Sequence, residues 1–126
     1  MTIKYGMQLP IQAQSTIFVE EWEKSAGAAE LAAIARACDE AGFDYVAVCD
    51  HVAIPRARAD AMSTTWYDTV ATLGWLAGIT QRVRLLSHVY VLPYRHPLHT
   101  AKSFMTLDEL SSGRAILGVE IGRAHV

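Results

Sequence analysis

With 126 residues, 52% of them hydrophobic and 19% charged, and a formal net charge of -2, the chain has enough apolar material for a core. It is nonetheless about half as long as a complete (β/α)8 barrel, which needs roughly 250 residues. Lysines and arginines are dispersed and form no basic run, which argues against a nucleic-acid surface; no apolar stretch is long enough for a bilayer, and MTIKYGMQLPIQ lacks the regions of a secretory signal, so a cytoplasmic location is expected.

In chain order, Ile3–Leu9 alternates partly and stops at Pro10, as a first strand opening into a long polar loop would. From Ala26 to Ala41, Leu31, Ile34, Ala35 and Cys38 recur at helical spacing, and Gly42 supplies the permissive residue just past the end. Tyr45–Cys49 is a short, nearly continuous apolar run, expected of a parallel strand covered on both faces, and it delivers Asp50 and His51 at its end. A loop from His51 to Thr65 precedes a mostly apolar helix over Trp66–Ile79. Arg82–Leu92 reads as the third strand, Leu98–Leu110 as the third helix and Ala115–Val119 as the fourth strand. Strict strand and helix alternation predicts an α/β fold with a parallel sheet.

The chemistry concentrates in loops that follow strands, the edge where ligands bind in parallel α/β architectures. From the residues alone, Asp50 could cap a turn with His51 merely solvated, or the two could serve a site. His88 could be a neutral core imidazole or could line a cavity. After the third strand come Tyr94, Arg95 and His96; the Arg95 guanidinium could contact a carbonyl-rich ring or anchor the loop to an acidic residue. His96 and His99 have HxxH spacing, but it straddles Pro97 and offers no third ligand, so no metal is expected. Gly113-Arg114 is adequately explained as a turn. Cys38 and Cys49 form neither a CxxC pair nor a framework spacing, which predicts buried thiols. No GxGxxG motif opens a helix, so a Rossmann nicotinamide site is not indicated. A metal-dependent hydrolase barrel would want paired histidines on strand one, and GMQLP has none.

The ordered segments YGMQLP, AxxCDEAGFDYVAVCDH and TQRVRLLSHVYVLPYRHPLHTAKSFMTLDELSSGRAILGV resemble the amino-terminal half of the luciferase-like monooxygenase superfamily, and within it the branch that uses the deazaflavin coenzyme F-420. The likeness covers Lys4 to Val119. It implies a truncated TIM (β/α)8 barrel, about the first three and a half βα units, with residues 1–119 as the amino-terminal half of the barrel domain. It further implies an oxidoreductase that transfers a hydride between F-420 and a small organic substrate. The alternatives are a monooxygenase using reduced FMN and oxygen, or a non-catalytic fragment or interaction module. By the same resemblance, His51 lies near the cofactor ring and acts in proton transfer, a task suited to an imidazole. Asp50 orients His51 or accepts a hydrogen bond from the ring, and His88 lines the cofactor cavity. A non-proline cis peptide that buttresses the cofactor maps onto Ser87-His88. The family's phosphate-gripping loops come from the second half of the barrel, so these residues alone should bind cofactor weakly or not at all. The full-length protein is expected to be a homo-oligomer.

Residues 120–126, EIGRAHV, depart from the family's usual LGVG continuation. Reverse-translated as GAG ATC GGA AGA GCA CAC GTC TGA, they reproduce a common short-read sequencing adapter running into a stop codon, so a non-native tail is expected. Strands one and four would then be open edges, and the half-barrel is expected to dimerise or aggregate.

Overall fold

The computed structural model describes residues 2–121. In chain order it contains β1 (Gly6–Gln8), α1 (Ala28–Glu40), β2 (Tyr45–Val48), the one-turn α2 (Ala59–Met62), α3 (Thr69–Ile79), β3 (Arg84–Val91), α4 (Pro97–Leu110) and β4 (Ala115–Glu120). The strands pair in parallel in the order β1-β2-β3-β4, as the strand and helix alternation requires, since parallel neighbours need a crossover between them.

Strand register decides what each face carries. Met7 pairs with Val46 and Val46 with Leu85, so these side chains share one face with Val48. There they join Leu31 of α1, Leu73 and Leu76 of α3, and Phe104 and Leu107 of α4 in a single apolar cluster. Gln8, Ala47 and Leu86 lie on the opposite face. Burying whole side chains such as Leu73, Leu76 and Leu85 contributes on the order of 2 kcal/mol each, and this cluster fixes how the helices sit on the sheet.

Several boundaries differ from the sequence expectation for local reasons. The first strand contracts to three residues, although Leu9 still donates its N–H to the Ala47 carbonyl at 2.9 Å. The second long helix starts at Thr69 rather than Trp66, because the Asp68 carboxylate accepts the Ala71 N–H at 2.8 Å as an N-cap. The loop after β1 holds a 3-10 turn, Glu21–Ser25, whose buried Glu23 accepts N–H groups from Ile11 and Glu20. Gly42 and Gly113 sit just beyond α1 and α4 with φ of 79° and 82°, the left-handed conformation that a glycine adopts without a Cβ clash.

Two charged residues secure the amino-terminal end of the sheet. Asp39, buried, accepts three backbone N–H groups, from Gln81, Arg82 and Val83, at 2.6–2.8 Å. Arg114, expected only as part of a turn, donates to the carbonyls of Ala77, Val83 and Ser111 and to the Thr80 hydroxyl, and so satisfies the end of α3. The expected non-native tail falls in part on β4, where Glu120 pairs with Val91; residues 122–126 lie outside the described residues. No helix among the described residues is long and apolar enough to cross a membrane.

Candidate active site

A cavity of about 540 Å³ lies at the carboxyl ends of the strands. All four contribute: Gln8 from β1, Cys49, Asp50 and His51 after β2, His88 and Val89 from β3, and Glu120 from β4. The parallel sheet thus brings three of the four expected site residues, Asp50, His51 and His88, to a single rim.

Asp50 is held more firmly than a capping residue would be. Its side chain is 1% exposed, and its two oxygens accept from both terminal nitrogens of Arg95, from the Val91 N–H at 2.8 Å and from the Thr69 hydroxyl at 2.9 Å. Burial pushes the Asp50 carboxyl up, but Arg95, the Val91 N–H and Thr69 together outweigh it and hold the group below its ordinary range. The guanidinium also lies over the Tyr90 ring, 4.3 Å from its centroid. Of the two readings of Arg95, anchoring to an acidic residue is what the structure shows. The clamp joins the ends of β2 and β3 to the first turn of α3, leaving Asp50 with its carboxylate already engaged.

His51, the next residue, is half-buried and packs edge-on against Trp66, with ring centroids 4.0 Å apart. His88 is exposed on the face of β3 opposite Leu85 and the apolar cluster, and lines the same cavity. Ser87 does not line it. Its fully buried hydroxyl donates to the Gly118 carbonyl at 3.0 Å and accepts the Gly118 N–H at 3.1 Å. These bonds fill a register irregularity in which β3 advances two residues, His88 and Val89, against the single Gly118 of β4. The cis peptide lies within that irregularity, at His88-Val89, one bond later than expected, because Ser87 itself stays in register with Leu117. A Cβ on Gly118 would run into the Ser87 carbonyl oxygen, so only glycine admits this approach.

The remaining candidates separate clearly. The His96 ring accepts the Leu98 N–H at 3.3 Å as the N-cap of α4, so its local role is structural. Cys38 is buried and Cys49 is half-buried at the cavity wall, where the Gln8 amide donates to its sulfur at 3.1 Å. Burial pushes both thiols up. Sequence reasoning missed Thr69 and Trp66 because Trp66 was assigned to a helix. The signal was present in Asp68, an N-cap residue type immediately before the apolar run, which moves the helix start to Thr69 and frees Trp66 for the rim.

With this geometry in place, the comparisons with known proteins become decisive: residues 3–125 match the family model for luciferase-like monooxygenases. The chain belongs to this family. Among its relatives, the F-420-dependent glucose-6-phosphate dehydrogenase of Nakamurella multipartita is 37% identical over 102 residues, covering 78% of this chain and 28% of that protein. The 5,10-methylenetetrahydromethanopterin reductase of Methanopyrus kandleri is 33% identical over 94 residues, covering 74% of this chain and 23% of that protein. The solved coenzyme F-420-dependent tetrahydromethanopterin reductase of the same organism superposes with a TM-score of 0.69 at 26% identity, covering 98% of this chain and 28% of that chain. The luciferase-like chain therefore spans about a quarter of the length of these relatives, and its four strands form an arc of their TIM barrel.

Proposed function

We propose that the luciferase-like protein carrying this segment transfers a hydride between coenzyme F-420 and a small organic substrate, with His51 and His88 facing the reaction and Asp50 and Ser87 positioning them. The observation that carries this reading is that His51 and His88 line one cavity at the carboxyl rim while both carboxylate oxygens of the neighbouring Asp50 are already engaged. The residues fit a flat ring system: the cavity is in the ligand size range, and it offers two imidazoles beside the apolar Val89 and Trp66. A deazaflavin bound there supplies the two-electron hydride acceptor or donor. His51 holds or moves a proton at an imidazole nitrogen, the general acid–base role a positioned imidazole can fill. Trp66 fixes its ring plane. Asp50 and Arg95 set the His51 backbone and the Val91 amide at the ends of two strands, and Ser87 keeps β4 in place so that His88 points into the cavity.

The experiment is a spectral titration of the full-length protein with F-420 and, separately, with FMN. A shifted F-420 spectrum, with hydride transfer slowed about a hundredfold in His51→Asn and cofactor binding retained, supports the reading. A shift with FMN alone, coupled to oxygen consumption, would replace it with the reduced-FMN monooxygenase reading.

A further inference from the structure

The loops that follow β1 and β2 form one element. Ala13 and Trp66 make an antiparallel bridge, the Tyr67 N–H donates to the Gln12 carbonyl at 2.9 Å, Gln14 N–H to Thr65 at 3.0 Å and Thr16 N–H to Ala61 at 3.2 Å, with the Thr16 hydroxyl on the same Ala61 carbonyl. At its base the fully buried Gln12 bonds the Leu9 carbonyl and the Cys49 N–H, tying the ribbon to the ends of β1 and β2. This backbone order is more than a solvated connection needs.

The side chains this ribbon offers the cavity are mostly apolar: Ile17, Phe18, Met62 and Trp66. Ile17 and Phe18 present apolar surface to the cavity, which favours an occupant with an apolar body. At the outer end stands Arg58, the one lysine or arginine among the described residues lining the cavity, with no ion pair to another described residue. Of the two lining carboxylates, Asp50 is neutralised by Arg95, and Glu120 lies at the end of β4, two strands from the one that leads into the Arg58 loop.

We propose that the two-loop ribbon is the substrate-recognition element and that the substrate is an organic acid with an apolar body, which packs on Phe18, Ile17 and Met62 while its anionic group pairs with Arg58. This inference rests on the oxidoreductase reading of the same cavity and adds the substrate class.

The test is calorimetric titration of the full-length protein with decanoate, decanol and glucose 6-phosphate, alongside the F-420 spectral titration. Decanoate is expected to bind about tenfold more tightly than decanol, the gain of one charge-assisted contact, and to lose that advantage at high salt. Arg58→Gln should abolish the difference and leave decanol unchanged, while Phe18→Ala should weaken both about fivefold. Equal binding of decanoate and decanol, an acid preference that survives in Arg58→Gln, or tighter binding of glucose 6-phosphate than of decanoate would each overturn the proposal. Cofactor binding without the acid preference defeats this inference alone, whereas absence of cofactor binding defeats the oxidoreductase reading.

Discussion

Replacing Arg95 by methionine isolates the clamp that holds the rim together. The substitution keeps most of the side-chain volume but leaves the Asp50 carboxylate, 1% exposed, with only the Val91 N–H and the Thr69 hydroxyl. Removing one partner of a buried ion pair costs roughly 3–5 kcal/mol because the other charge remains desolvated; the two surviving hydrogen bonds place this case at about 3 kcal/mol. In the full-length protein, at roughly 2–4 °C per kcal/mol for a larger cooperative unit, that corresponds to a fall of about 6–12 °C in Tm, read by circular dichroism at pH 7. The double variant Asp50→Asn with Arg95→Met removes the stranded charge and should recover most of the loss. The pH dependence has a definite sign. The folded Asp50 carboxyl is held below its ordinary value of 3.8, so its stabilisation is complete above that value and disappears as pH falls through the lowered folded one. The gap between the native protein and Arg95→Met should therefore narrow below about pH 4. An Arg95→Met protein within 1 kcal/mol of the native one, or a double variant as damaged as the single, would refute the clamp.

Asp39→Ala strips the acceptor from three backbone N–H groups and should cost about 3 kcal/mol, measured from the urea midpoint, with Asp39→Asn retaining part of the loss. Gly118→Ala drives a methyl group into the Ser87 carbonyl and is expected to lower stability by about 2–3 kcal/mol, whereas Ser87→Ala, which loses two hydrogen bonds, should cost about 1–2 kcal/mol; equal, negligible effects in thermal melts would contradict the tight β3–β4 approach. Both thiols are pushed above their ordinary 9.0, so labelling with a disulfide reagent should be slow at pH 7 and accelerate beyond pH 9, and rapid labelling of Cys49 at neutral pH would contradict its shielding at the cavity wall.

The parallel order of the strands was legible because apolar runs such as Tyr45–Val48 alternate with stripes such as that of α1, and the two periods leave little choice of architecture. Asp50 and His51 were legible as rim residues for the same reason: they follow a strand. Their division of labour was not. Arg95 lies 45 positions from Asp50 in sequence, and the pairing arises only when β2 and β3 become neighbours. Ser87 misled because its neighbour His88 does face the cavity, and alternation along a strand sends adjacent side chains to opposite faces. The ribbon joining the first two rim loops was hidden because its bonds connect backbone groups between positions 12–16 and 61–67, which carry no composition signal.

The central claim is that the strand ends place His51 and His88 on one cofactor cavity. A crystal structure of the full-length protein grown with coenzyme F-420 tests it most directly. The account predicts the deazaflavin ring in van der Waals contact with both imidazoles, with the Asp50–Arg95 pair intact behind them. A ring bound elsewhere, or touching neither histidine, would contradict it.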